Sequence, residues 1–129
     1  MFLPSIALAQ SKKQMYNTYQ EGKKLLVDEK FTEAMARFKT LMVPLKKNVY
    51  EEFAYYYYGL AALKNKQLDE AKQTFTRLIE RFPDWVNKEE VYYAFGDIYF
   101  REKDYNNALK YLNRIKAEKM QLDVANIKG

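Results

Sequence analysis

The stretch EEFAYYYYGLAALKNKQLDEAKQTF, residues 51–75, contains four consecutive tyrosines followed by Gly59. Its apolar residues keep a helical spacing up to Leu63, KNKQ interrupts the pattern, and a second helical series begins at Leu68. Side chains that are neighbours on a helix diverge by about 100°, so four adjacent rings cannot all enter one core. The stretch therefore predicts two helices joined by a short turn, with some of the tyrosine rings outside the core.

The glycines indicate that this helical hairpin is repeated. Gly22, Gly59 and Gly96 are spaced by 37 residues. An alanine column and three apolar columns keep the same register: Ala34, Ala71 and Ala108; Phe38, Phe75 and Leu112; Leu41, Leu78 and Ile115; and Phe31, Leu68 and Tyr105. A glycine inside a helix costs about 1 kcal/mol relative to alanine, so its recurrence indicates that two helices approach closely. We predict an all-α fold of three helix pairs.

Composition argues against most catalytic classes. The chain has 129 residues, enough for one domain with a real core, and it contains no cysteine and no histidine. Disulfides, zinc sites of the Cys/His type and imidazole catalysis are thereby disfavoured. A small hydrolase using carboxylate pairs such as Glu51 and Glu52 is a weak alternative, because adjacent residues on a helix diverge. We expect no enzyme activity, no metal and no cofactor.

Charge and hydropathy bear on the partners. The formal net charge is +5, and the basic residues are interleaved with acidic ones along the chain. A nucleic-acid site would normally be a basic cluster, so none is expected. No apolar run reaches the ~18 residues of a membrane span. The expected partner is a protein or peptide whose identity the sequence does not specify, with a homo-oligomer as the alternative.

The amino terminus, MFLPSIALAQSKK, carries a pattern typical of exported proteins. Ala7-Leu8-Ala9 before Gln10 is a small-x-small motif that a signal peptidase accepts. We interpret residues 1–12 as a signal peptide seen in part, with an apolar arm packed on the first helix as the alternative. The expected location is therefore periplasmic or secreted, and the alternative is cytoplasmic.

The repeat resembles the tetratricopeptide repeat family. The second copy matches that family's pattern best, with Tyr55, Tyr58, Gly59, Ala71, Phe75 and Pro83 in its slots. The third supplies Tyr92, Phe95, Gly96, Tyr99, Ala108 and Leu112, and the first keeps Gly22, Ala34 and Phe38. The resemblance implies a right-handed α-solenoid of three antiparallel helix pairs. Its repeats would cover about residues 15–51, 52–88 and 89–120 of a domain over 13–129, followed by a partial cap. The 37-residue period is similar to that of periplasmic members.

The resemblance also implies a concave groove lined by the first helix of each pair. In that register Tyr55, Tyr58, Tyr92 and Phe95 belong to the core. The predicted groove residues are Tyr16, Tyr19, Gln20, Lys23, Phe53, Tyr56, Tyr57, Leu60, Tyr93, Asp97, Phe100 and Arg101. Tyrosine offers broad apolar area and a hydroxyl at low entropic cost, which suits an interaction surface. Some of these rings could instead cover the final helix or a neighbouring subunit.

The resulting expectation is a non-catalytic module that binds a partner segment in an aromatic groove, in the bacterial cell envelope. A clamp for a peptide's terminal carboxylate is not predicted, because only Lys23 has a suitable charge among the matching slots. Two alternatives remain: a structural module that forms a homodimer, and an N-terminal adaptor of a larger envelope protein.

Overall fold

A computed structural model describes the backbone of residues 11–128 and the side chains of residues 11–117. Its six helices are α1 (Lys12–Val27), α2 (Phe31–Lys39), α3 (Glu51–Lys64), α4 (Leu68–Arg81), α5 (Lys88–Arg101) and α6 (Tyr105–Lys128). No strand occurs within residues 11–128, so the predicted all-α fold of helix pairs is confirmed. The predicted leader or arm falls largely on residues 1–10, which lie outside the described residues.

The helices belong to two compact units, one ending at Phe82 and the other beginning at Pro83. In the first unit α1 packs on α2, α2 on α3, and α3 on α4. In the second, α5 packs on α6. The predicted interruption at KNKQ is confirmed, because α3 ends at Lys64 and α4 begins at Leu68. Helix α4 ends at Arg81, two residues before Pro83, because proline lacks the backbone N–H that a helix interior needs.

In each helix pair, a side chain of the second helix packs directly against a glycine of the first helix, 16 residues earlier in the sequence. The pairs, with the distance from a Cβ built on the glycine to the nearest side-chain atom, are Gly22–Phe38 (2.7 Å), Gly59–Phe75 (2.8 Å) and Gly96–Leu112 (3.2 Å). The two phenylalanines are completely buried, whereas Leu112 is 43% exposed. The predicted close approach is confirmed, and we call this contact the glycine socket.

The turns inside the three pairs share a backbone feature that the sequence did not reveal. Their middle residues, Glu29, Lys66 and Lys103, have positive φ angles of 60°, 63° and 64°. The next amide donates to the carbonyl five residues earlier, at 2.8–2.9 Å: Lys30 to Leu25, Gln67 to Ala62, and Asp104 to Tyr99. Such a left-handed residue terminates a helix by satisfying its last carbonyl groups, and glycine usually occupies the position.

The first repeat differs from the second in the length of its second helix. Helix α2 has 9 residues and α4 has 14. Residues 40–50 form an ordered connection between α2 and α3. In it, the Asn48 side-chain amide donates to the carbonyls of Leu41 (2.7 Å) and Val43 (2.9 Å). The Asn48 side-chain oxygen accepts from the Tyr50 amide at 3.0 Å. Because Leu41 is fully buried, this connection continues the core after α2 ends.

Two polar contacts join α3 to α4. The Tyr58 hydroxyl donates to Glu70 Oε1 at 2.8 Å, and Arg81 Nη2 donates to Glu51 Oε2 at 2.6 Å. Burial, and then the neighbouring Glu70 carboxylate, raise the pKa of Tyr58 to about 12, so the phenol remains neutral at ordinary pH. Glu51 is buried, and its ion pair gives this carboxylate a structural role at the start of α3.

Alanine substitutions at two of the sockets should have opposite effects on stability. In Gly59→Ala the new Cβ meets the fully buried Phe75 ring at 2.8 Å. The strain, about 1–3 kcal/mol, should outweigh the ~1 kcal/mol gain in helix propensity. In Gly96→Ala the neighbour is the half-exposed Leu112, which can move away. Urea denaturation should therefore show Gly59→Ala destabilised and Gly96→Ala unchanged or stabilised. Equal effects at both sites would contradict the socket.

The left-handed turn residue predicts a stabilising substitution. Lys66→Gly should raise the free energy of unfolding by about 0.5–1 kcal/mol, because glycine adopts positive φ without the cost that a Cβ imposes. The matched control is Lys64→Gly in the last turn of α3, which should lower stability by about 1 kcal/mol. Chemical denaturation measures both variants. A loss of stability in Lys66→Gly would exclude this account of the turn.

Candidate functional site

The predicted groove residues of the first unit form one stripe on α1 and one on α3. Each stripe follows the spacing i, i+3, i+4, i+7, so its side chains share a side of their helix. Tyr16 is 52% exposed, and Gln20 is also exposed, whereas the other six are half-buried. We call this surface the α1–α3 face; it comprises Tyr16, Tyr19, Gln20, Lys23, Phe53, Tyr56, Tyr57 and Leu60.

Tyr19 connects the two helices of the α1–α3 face. Its ring stacks on Tyr50 with centroids 4.8 Å apart, and it meets Tyr57 at 6.0 Å and Phe53 at 6.5 Å, both edge to face. Lys23 Nζ lies 5.0 Å from the centre of the same ring, within the range of a cation–π contact. One ring on α1 thus positions both the aromatic side chains of α3 and an ammonium group.

The hydroxyl of Tyr19 is held in its neutral form. Burial raises the pKa of Tyr19 to about 12, with further contributions from Tyr57, which also shares a hydrogen bond with it, and from Tyr50. The Tyr19 phenol therefore keeps its proton even in alkaline solution and can donate or accept a hydrogen bond, with the Lys23 ammonium over its ring. Such a surface can bind by apolar contact, by hydrogen bonds and by attraction of a negative group.

The four consecutive tyrosines separate into two pairs. Tyr55 and Tyr58 are only 9% and 6% exposed, which confirms their predicted place in the core. Tyr56 and Tyr57 are half-buried, and their rings meet edge to face at 5.2 Å. Tyr57 also stacks on the buried Phe38 at 5.5 Å, so it contributes to packing between the first two repeats. The Tyr56 ring lies near the buried Phe75 ring, with the ring centroids 6.3 Å apart.

The predicted groove residues of the second unit lie on α5. Tyr93 and Phe100 are 66% and 62% exposed, and Arg101 Nε donates to Asp97 Oδ1 at 2.9 Å. This ion pair within one helix largely neutralises the two charges. A depression of about 170 Å³ lies beside them, lined by Tyr93, Gly96, Asp97, Phe100 and Leu112. Of the two predicted core rings, Phe95 is buried, as expected, and Tyr92 is half-buried.

Tyr50 is an aromatic neighbour of the α1–α3 face that sequence reasoning missed. It precedes α3 and stacks on Tyr19. The corresponding positions of the other repeats hold Lys13 and Asn87, so no repeat column marks an aromatic residue there. Only the path of the connection into α3 brings this ring to the face.

The described side chains contain no group of three or more acidic residues that could hold a metal ion. Within the described part of the chain, no helix combines the length and the apolar character needed to cross a membrane.

Comparison with known protein families agrees with the geometry. Two sequence models described as Tetratricopeptide repeat match the chain, one over residues 53–84 and the other over residues 89–116. No curated protein and no solved structure matches it significantly. The first repeat lies outside the two matched segments, but it has the same glycine socket at Gly22 and the same left-handed turn at Glu29. On these matches and the helix pairs that they cover, the chain is a protein with tetratricopeptide repeats.

Proposed function

We propose that the α1–α3 face docks a segment of another protein and that the chain acts as a non-catalytic binding module. Tetratricopeptide repeats are protein–protein interaction modules, and the chain carries them. The observation that supports a site on this face is the exposed Tyr16 ring beside Gln20, next to a half-buried aromatic group centred on Tyr19. Partly exposed rings held rigidly by their neighbours are typical anchors of protein interfaces.

The face defines the chemistry of the partner segment. Its tyrosine and phenylalanine rings favour apolar side chains, and each well-buried aromatic anchor can contribute about 2 kcal/mol or more. Lys23 favours a carboxylate or a carbonyl oxygen near Tyr19, because its ammonium lies 5.0 Å from that ring on α1. The proposed ligand is therefore an apolar segment with an acidic residue, bound along α1 and α3.

Cross-linking from Tyr16 tests this function. With p-benzoylphenylalanine in place of Tyr16, irradiation of cells should yield a discrete adduct with a second protein, because an aromatic probe there lies on the proposed face. The same probe at Gln73, an exposed residue on the side of α4 opposite its buried residues, is the matched control. A Lys23→Glu substitution added to the Tyr16 probe should reduce the adduct about tenfold, since it repels the acidic residue of the segment.

Other cross-linking outcomes would assign the face differently. Adducts formed only between copies of this chain would support the homodimer alternative instead. Equal adducts from Tyr16 and Gln73 would remove the proposed site. Tyr57→Ala is unsuitable as a binding variant, because its ring stacks on Phe38 and its loss should destabilise the fold by about 2 kcal/mol.

The proposal includes a location in the bacterial envelope, supported by the Ala7-Leu8-Ala9 motif before Gln10. Osmotic-shock fractionation of cells that express the gene from its own start should release the protein with periplasmic markers. Recovery with cytoplasmic markers would reject this location and leave the binding proposal intact.

A further inference from the structure

We infer that the connection between α2 and α3, residues 40–50, is part of the binding site on the α1–α3 face, where Asn48 and Tyr50 hold the Tyr19 ring in the orientation that a partner segment meets. Neither Asn48 nor Tyr50 belongs to the helical stripes that define the face. They are positioning residues, and their role rests on the function proposed for this face.

Tyr50 occupies a position where another residue type would serve the helix better. It caps the amino end of α3, and its side chain makes no capping hydrogen bond. Asparagine, aspartate, serine and threonine are favoured at such positions, because their side chains accept from the first free amides of the helix. The Tyr50 ring instead stacks on Tyr19, with the ring centroids 4.8 Å apart. Helix capping therefore does not account for a tyrosine here, whereas the contact with Tyr19 does.

The backbone of Tyr50 is held on both sides. Its amide donates to Asn48 Oδ1 at 3.0 Å, and its carbonyl accepts from the Ala54 amide at 2.8 Å. Because both polar groups of the residue are bonded, the direction in which its side chain leaves the backbone is set. Asn48 thus acts on the binding face through Tyr50.

Asn48 is itself anchored to the core. Its side-chain amide donates to the carbonyls of Leu41 at 2.7 Å and Val43 at 2.9 Å. Leu41 is fully buried, and its own amide donates at 2.9 Å to the carbonyl of Phe38, whose ring fills the first glycine socket. A continuous path of hydrogen bonds therefore leads from that socket to Tyr50.

Tyr50 is the nearest of the described rings around Tyr19. It covers a flat side of the Tyr19 ring, with the two planes 29° apart. Three other rings meet Tyr19 edge to face at 6.0–6.5 Å: Phe38, Phe53 and Tyr57. Because a stacked neighbour limits the rotation of a ring, Tyr50 sets the plane of the ring that lies 5.0 Å from Lys23 Nζ. A change at Tyr50 should therefore be detectable at Lys23.

The NMR resonance of the Lys23 ε-methylene group reports this positioning without any partner. In the unmodified chain, the ring current of Tyr19 should shift it upfield of the other lysines. In Tyr50→Asn it should move back towards them, because Tyr19 loses its stacked neighbour; asparagine is favoured at a helix start and so supports α3. Val49→Asn, at the exposed preceding residue, is the matched control and should leave the resonance unchanged. Thermal melting verifies that both variants are folded.

Cross-linking tests whether the positioning serves binding. With p-benzoylphenylalanine at Tyr16, Tyr50→Asn should reduce the adduct with the second protein about fivefold, because the partner must then order the Tyr19 ring itself. Val49→Asn should not reduce it. Tyr50→Phe should retain both the adduct and the upfield Lys23 resonance, since stacking requires only the ring.

A double variant tests the role of Asn48. Asn48→Asp cannot donate to the two carbonyls, so it should lower the adduct and shift the Lys23 resonance as Tyr50→Asn does. The combination of Asn48→Asp with Tyr50→Asn should cause no further loss, because both changes act through the same ring. Additive losses would reject the positioning role of Asn48.

The two measurements distinguish this inference from the proposed function. An unchanged Lys23 resonance in Tyr50→Asn, or a shifted resonance with an undiminished adduct, would overturn the role of Tyr50 in binding. Absence of any adduct from the unmodified chain, with the Lys23 resonance behaving as expected, would reject the function proposed for the face but not the positioning of Tyr19 by Tyr50.

Discussion

Two helices of a pair approach closely in this protein because a position on the first helix has no side chain. The side chain that occupies the space comes from the residue 16 positions later; it is a fully buried phenylalanine in two of the repeats and a half-exposed leucine in the third. A glycine inside a helix costs about 1 kcal/mol relative to alanine, and the packing of the opposite side chain in the socket offsets this cost. The socket fixes the rotation of each helix and hence which side chains face outward.

Residues at the same register position differ in exposure between the repeats, although the glycine socket gives their helices the same orientation within each pair. Tyr19 and Tyr93 occupy the same register position, but Tyr19 is enclosed by rings from α3 and Tyr93 is 66% exposed. Phe38 and Leu112 show the same contrast, with no exposure in the first and 43% in the second. A position that is enclosed in one repeat is therefore exposed in another, according to whether a neighbouring helix covers it.

The aromatic residues serve the fold and the proposed interaction surface together. Tyr57 stacks on a core ring and also borders the α1–α3 face, whereas Tyr16 is free enough to contact a partner. Burial raises the pKa of Tyr19 to about 12, so its phenol stays protonated even in alkaline solution, and the Lys23 ammonium lies beside its ring. The rings supply rigid apolar area, and the packing beneath them limits the entropy lost when a partner binds.

The sequence by itself determined the repeat period, the helix pairs, the end of α3 before residues 65–67, and the burial of Tyr55, Tyr58 and Phe95. These features follow from local periodicity and from the socket register, both of which a single chain records directly. Only the tertiary structure decided the short α2, the left-handed turns at Glu29, Lys66 and Lys103, and the stacking of Tyr50 on Tyr19. It also decided which predicted groove residues are exposed. Exposure depends on the helix that covers a face, and that helix comes from a distant part of the chain, so no local pattern encodes it.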